Sequence, residues 1–320
     1  MTVGLIVNPR SGRRTGKGER LMALLKDRAR IPMAALEDFG GLRKTLADFA
    51  ARGVDILTIS SGDGTIQAIQ TELAEHNPFA RTPALMLLPH GTANMTAADL
   101  GMRTHHPGAV AELLRDEARL KALPRKRRPT LRVANPADGR VRHGMFVGAG
   151  AVYTGTRFCQ QAIHATGIKG NPAIAATLAV CIGGAIMNRR ATAEKERIAR
   201  PYPMRLASEG RERASGGYLL TLATTLNRLV LGTRPFWGGK TGPIRATALP
   251  FPVANLARWV WPALYGPEDR DMPPGAVSFC VQSLDIWSST PFVIDGEFFD
   301  SPASEPLRIE TGPEFEYVCG

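Results

Sequence analysis

The chain has 320 residues, 44% hydrophobic and 22% charged, a balance that excludes a disordered or collagen-like polymer and allows two globular domains, each with its own core. Its 40 Lys and Arg against 29 Asp and Glu leave a net charge of +11, which points beyond plain solubility to an anionic partner, either nucleic acid or an acidic membrane surface. The four cysteines, Cys159, Cys181, Cys280 and Cys319, make no CxxC pair, so neither a zinc site nor a disulfide scaffold is signalled and a reducing cytosol suits them.

The N-terminus has no basic leader and no cleavage site, and reads as a first strand rather than a signal peptide. Val3 to Val7 is a continuous apolar run closed by Asn8-Pro9, the pattern of a parallel strand buried on both faces. Leu21, Leu24, Leu25 and Ala29 place a helical stripe within residues 18–30. A short strand is expected over 31–36 and a helix over 42–51, with Leu46, Phe49 and Ala50 on one side. Val54 to Ile59 is the third strand, ended by Ser60-Ser61-Gly62-Asp63-Gly64, and a helix follows over 65–74. Ala84 to Leu88 is the fourth, ended by Pro89-His90-Gly91-Thr92, and a further helix begins at Ala93. Strict alternation of strand and helix predicts an open parallel sheet with right-handed crossovers.

The texture changes after Leu123. Pro124 and the basic run Arg125-Lys126-Arg127-Arg128 read as a hinge. Beyond it, β-like pieces over 130–133, 141–147, 218–223, 276–283 and 291–294 are separated by Gly, Pro and polar turns, so an antiparallel second domain with helical insertions is expected. Ala173 to Met187 is apolar throughout, but its fifteen residues fall short of the roughly 20 that span a bilayer. Both a buried core helix and a helix lining a lipid pocket fit it. Trp259, Trp261 and Tyr265 beside Arg258 suit either an aromatic core or a water–lipid interface. Further basic runs lie over 10–20 and 189–200. No nucleic-acid module accompanies them, which favours a membrane or nucleotide partner and sets nucleic acid aside.

Phosphoryl transfer needs a cradle for the triphosphate, a metal to neutralise charge and a carboxylate to take the acceptor's proton. Glycine-rich loops from strand to helix supply the cradle, because backbone N–H groups approach oxygen closely where no Cβ intervenes. Asn8 to Gly12, Ser60 to Thr65 and Gly91 to Asn94 form three such loops, with hydroxyls from Ser11, Ser60, Thr65 and Thr92. Arg13, Arg14 and Lys17 follow the first loop as phosphate-contact candidates or as a solvated helix start. Other motifs fail. Gly12 to Gly18 has one residue too few for a P-loop, Gly148-Ala149-Gly150 lacks the third glycine of a dinucleotide fingerprint, and no GxSxG elbow appears. The six histidines have no metal-binding spacing, and His90 reads as a turn filler.

Asn8-Pro9-Arg10-Ser11-Gly12, Ser61-Gly62-Asp63-Gly64-Thr65, Pro89-His90-Gly91-Thr92-Ala93-Asn94 and Asp295-Gly296-Glu297 together resemble the motifs of the diacylglycerol kinase catalytic family, which includes bacterial lipid kinases, sphingosine kinases and ceramide kinases. The resemblance covers nearly the whole chain in order and spacing. It implies a nucleotide-binding α/β domain over 1–123, a lipid-binding β-sandwich with a helical insertion over 124–300, and a final segment, 301–320, returning toward the first domain, with ATP and magnesium in the cleft. By the same resemblance, Asn8, Pro9, Arg10, Ser11, Gly12, Ser60, Ser61, Gly62, Gly64, Thr65, Gly91, Thr92 and Asn94 hold the nucleotide. Asp63 or Glu297 is the base, and Asp295 assists with magnesium or orientation, with Asp63 and Asp295 as the metal candidates. Helix N-termini around Asp63 should lower its pKa.

Three positions depart from the family pattern. Ser61 replaces the usual glycine and Met95 stands where diacylglycerol kinases carry Asp; both lean toward a ceramide or sphingoid acceptor, with diacylglycerol close behind. Residues 235–250 contain no acid, so the structural magnesium site of bacterial members is not expected. The alternatives are a kinase of a soluble acceptor, like NAD kinases and phosphofructokinases with their Gly-Asp-Gly loop, and a non-catalytic lipid- or nucleotide-binding regulator. The expected setting is the cytosolic face of a membrane, reached as a peripheral protein drawn to anionic lipid; a homodimer is left open.

Overall fold

The computed structural model describes residues 1–11, 16–27, 30–36, 38–166 and 199–320, with residues 175, 176, 179, 182 and 183. The chain divides into two compact units, Met1–Thr130 with Pro313–Gly320, and Leu131–Gly312.

The first unit alternates β1 (Thr2–Val7), α1 (Lys17–Leu25), β2 (Met33–Ala35), α2 (Leu42–Ala51), β3 (Val54–Ser61), α3 (Asp63–His76) and β4 (Ala84–Pro89), followed by α4 (Met95–Leu100), α5 (Pro107–Arg115) and α6 (Glu117–Ala122). The strands run parallel in the order β2-β1-β3-β4. Val3, Leu5 and Val7 join Leu21 and Leu25 of α1 and Val110 and Leu114 of α5 in one core. The alternate residues Ile6, Leu57, Ile59, Leu85 and Leu87 are buried as well, as are Leu46 and Phe49 of α2. Burial of both faces explains the unbroken apolar runs. The last residues of β15 (Leu307–Val318) complete this sheet: Tyr317 and Val318 pair in parallel with Leu85 and Met86 of β4. Tyr317 is fully buried and its hydroxyl accepts a hydrogen bond from Gln70 Nε2 at 2.8 Å.

Two local expectations are corrected. Ser60 and Ser61 belong to β3, and Asp63 opens α3, so the break between strand and helix is narrower than the sequence implies. The basic run is no hinge. It lies in β5 (Arg125–Val133), where Arg125 and Arg127 pair with Glu316 of β15 and Arg128 with Asp99. The partners are distant in sequence, which hides the strand from a local reading.

The second unit is antiparallel. Its strands are β6 (Arg142–Gly144), β7 (Phe146–Gly150), β8 (Tyr202–Ser208), β9 (Arg211–Thr224), β10 (Ile244–Pro250), β11 (Val277–Val281), β12 (Ser283–Trp287), β13 (Phe292–Ile294) and β14 (Glu297–Phe299), with helices α7 (Ala151–Thr166) and α8 (Leu256–Tyr265). The order is β14-β13-β7-β9-β8-β12-β15, with β10 on β9 and β11 on β10. Its core gathers Leu131, Tyr202, Leu206, Ile244, Ile286, Phe292 and Ile309. Most of the apolar stretch 173–187, Cys181 and the basic residues 189–198 lie outside the described residues. Among the described residues, no helix is long and apolar enough to cross a membrane.

Replacing Tyr317 tests the completing strand. Tyr317→Ala should cost about 3–5 kcal/mol by cavity formation, and Tyr317→Phe about 1 kcal/mol through the lost hydrogen bond to Gln70. Urea denaturation of both variants, followed by circular dichroism, measures the two losses.

Candidate functional site

In the first unit, three loops leave the C-terminal ends of the adjacent strands β1, β3 and β4. They meet at Gly62 and Gly91. A Cβ on Gly91 would stand 2.2 Å from Gly62 Cα, and one on Gly62 would stand 3.3 Å from Ser11 Oγ. Only glycine permits this approach at Gly91, so the motif's glycine is set by contact between loops.

Side chains fix each loop. Asn8 Nδ2 donates to Thr65 Oγ1 at 2.8 Å, while its Oδ1 accepts from Arg10 N at 2.9 Å. The first loop is thereby tied to α3. Asn94 adopts a left-handed conformation with φ 51°, and its amide closes on Gly91 from both sides, accepting from N at 2.6 Å and donating to O at 2.9 Å. His90 is buried between Ser60 Oγ and the His105 carbonyl, each at 2.8 Å from a ring nitrogen. A carbonyl can only accept, so Nε2 carries the proton and Nδ1 accepts from Ser60. Burial, and to a smaller degree the Lys17 charge, lowers the His90 pKa.

Asp63 departs from expectation. It is buried, and its two carboxylate oxygens accept from Met95 N and Thr96 N, both at 2.9 Å. It therefore caps α4, the helix after the third loop. Its pKa is raised, not lowered: desolvation outweighs the hydrogen bonds from backbone N–H groups. Burial of the carboxyl overrides the neighbouring helix N-termini.

In the second unit, Asp295 and Gly296 form a two-residue turn between β13 and β14, with φ 48° and 92°. The buried Asp295 carboxylate accepts from Met145 N and Phe146 N, both at 2.9 Å. Gln160 Nε2 donates to Gly296 O at 3.0 Å. Glu297 begins β14. Its carboxyl makes no hydrogen bond or ion pair among the described residues. The residue is solvent-accessible, yet the protein around its carboxyl desolvates it enough to raise its pKa.

Of the expected nucleotide ligands, Asn8, Pro9, Arg10, Ser11, Gly62, Gly64, Thr65, Gly91, Thr92 and Asn94 lie in these three loops or at the start of α3, with Lys17 at the start of α1. Ser60 and Ser61 do not line the loops; both are buried in β3, and Ser60 is committed to His90. Gly12, Arg13 and Arg14 lie outside the described residues. What remains open is suited to phosphate: the N-terminus of α3, which has no side-chain cap, and the Ser11 and Thr92 hydroxyls, which have no hydrogen bond among the described residues. Magnesium fits less well. Asp63 and Asp295 each spend both oxygens on backbone N–H groups, and no cluster of three metal-ligating side chains occurs among the described residues. The Ser60–His90–His105 link was missed; a histidine next to a buried strand end was its one sequence signal.

Parallel strands ending in converged glycine- and hydroxyl-bearing loops make the first unit an open α/β domain of the kind whose strand-end loops can receive phosphate. Residues 2–123 match the sequence model of the diacylglycerol kinase catalytic domain. A stretch of 73 residues is 36% identical to the "Probable lipid kinase YegS-like" of Stenotrophomonas maltophilia (strain K279a), covering 22% of this chain and 24% of that one. The match thus spans about a quarter of the curated relative's length. The fold is similar to that of a diacylglycerol kinase from Bacillus anthracis str. Sterne, with a TM-score of 0.63, 18% identity and coverage of 99% of this chain and 96% of that one. A further structure from the same organism has a TM-score of 0.64 at 16% identity, covering 100% and 97%.

The buried histidine gives a pH test. Its folded pKa lies below the ordinary 6.5, so the unfolded chain binds more protons as pH falls past 6.5. The His90 contribution is fully present above that pH and declines below it, down through the folded pKa. Urea midpoints should fall with acidification in the wild type, and the fall should be shallower in His90→Gln.

Proposed function

We propose that the protein is an ATP-dependent lipid kinase that transfers the γ-phosphate to the primary hydroxyl of a membrane lipid: ceramide, a sphingoid base or diacylglycerol. The observation that carries this reading is the convergence of three phosphate-suited loops at Gly62 and Gly91, inside a stretch that matches the diacylglycerol kinase catalytic domain. The loops and the N-terminus of α3 hold the triphosphate. The acceptor oxygen bonds to the γ-phosphorus as the bond to the β,γ-bridging oxygen breaks, ADP leaves, and the hydroxyl proton passes to a carboxylate.

Glu297 is our choice for that base. Its carboxyl has no partner among the described residues, and its raised pKa brings it nearer to neutral pH. Asp63 is occupied by Met95 N and Thr96 N and acts instead as a positioning residue for the third loop. Magnesium bound with ATP would neutralise charge on the triphosphate.

The lean toward ceramide weakens. Ser61 and Met95 are both buried, Ser61 within β3 and Met95 at the start of α4, so packing accounts for these departures without invoking an acceptor preference. The names of the structural neighbours favour diacylglycerol. The net charge of +11 supports work at an anionic membrane on its cytosolic face.

The test is transfer of labelled γ-phosphate from ATP to ceramide, sphingosine, diacylglycerol and NAD. One labelled lipid is expected. Glu297→Gln should lower kcat about 10²–10⁴-fold with the melting temperature unchanged, as for a lost general base. Gly91→Ala should chiefly weaken ATP binding, because its Cβ would displace Gly62. Labelled NAD would establish a soluble-acceptor kinase, and ATP binding with no labelled product would establish a regulator.

A further inference from the structure

Helix α8 leaves a large aromatic surface in solvent. Trp261 is 70% exposed and Tyr265 40%, and their rings lie tilted against each other, 4.7 Å between centres and one helical turn apart. Fraying does not explain this exposure, because the helix is held firmly from its C-terminal end. Arg270 donates to the carbonyls of Ala263 and Gly266 at 3.0 and 2.6 Å, and to those of Pro267 and Arg234, both at 2.7 Å. Arg234 N donates to Leu264 O at 2.7 Å, which ties the neighbouring loop along the helix. A guanidinium that satisfies several carbonyls at one helix end serves as a C-terminal cap.

Arginines precede and occupy the helix, and acids follow its C-terminal end. Arg228, Arg234 and Arg258 are exposed and make no salt bridge among the described residues. Arg258 stands 5.1 Å from the Trp259 ring centre. The helix contains no acid; Glu268, Asp269 and Asp271 all lie beyond its C-terminal end, and Glu268 pairs with Lys240 at 3.2 Å. Tryptophan and tyrosine combine an apolar ring with a polar atom, the composition that settles at the level of lipid headgroups. A helix of ten residues is about 15 Å long, too short to cross a bilayer but suited to lie in its surface.

We propose that α8 is an interfacial anchor that lays Trp261 and Tyr265 into the headgroup region of an anionic bilayer, with Arg228, Arg234 and Arg258 available to its phosphates. This assigns a docking element to the lipid-kinase reading, and rests on that reading for its purpose but not for its measurement. The full-length protein is sedimented with phosphatidylcholine vesicles, with and without phosphatidylglycerol, that contain no phosphate acceptor. Wild type should bind the anionic vesicles more tightly. Trp261→Ala/Tyr265→Ala should reduce partition about tenfold or more, as expected for losing two inserted rings. Brominated acyl chains should quench wild-type tryptophan emission, and Trp261→Phe should lose most of that quenching. Because Trp261 is exposed, Trp261→Ala should leave the melting temperature and turnover of a water-soluble short-chain diacylglycerol unchanged. Equal partition of wild type and the double variant, absence of vesicle binding, or quenching that persists in Trp261→Phe would each overturn the anchor. Turnover with no vesicle binding would reject the anchor and spare the kinase; vesicle binding lost in the double variant, with no turnover on any acceptor, would do the reverse.

Discussion

A buried carboxylate must find hydrogen-bond donors, and at Asp63 the nearest are the first two N–H groups of α4. The loop edge of the first unit depends on that constraint. It joins the start of α3, which follows β3, to the start of α4, which follows β4. Once they are joined, Gly62 and Gly91 are forced to within backbone contact, and any side chain at Gly91 becomes intolerable. Asn94 and His90 then complete the third loop from inside. The phosphate-suited surface consists of what these internal bonds leave over. Asp295 does similar work in the second unit, where it holds Met145 and Phe146 against the turn that presents Glu297.

Two acids of the motif set thus shape backbone, and the carboxyl of a third has no partner among the described residues. Motif membership alone would give all three the same standing. Hydrogen-bond accounting separates them: a carboxylate with both oxygens on buried N–H groups is tied to structure, whereas Glu297 is at liberty to take a proton.

Much of the first unit was legible because its signals are local. The apolar runs at Val3 and Ala84 and the stripe of Leu46 and Phe49 each specify their element without help from elsewhere. Reading failed where the deciding partner is distant. The arginines of β5 appear as a hinge until Glu316, far along the chain, is seen beside them. Ser60 and Ser61 look like loop because serine is a poor strand former, but full burial inside the sheet overrides propensity. The pKa of Asp63 could not be inferred, since burial is a tertiary property. The candidate loops, by contrast, were visible as glycines and hydroxyls at strand ends, where a parallel fold must put them.

The pairing of Tyr317 and Val318 with β4 bears on how the protein is made. A ribosome releases the strands of the first unit early, but the segment that closes its sheet emerges only after the whole second unit has been synthesised. Until then β4, a strand of mostly aliphatic residues paired only with β3, leaves its other edge without a neighbour in a crowded cell. The nascent chain should therefore depend on chaperones for the time taken to translate the second unit, and a premature stop anywhere within that unit would leave a first unit permanently prone to edge-on aggregation.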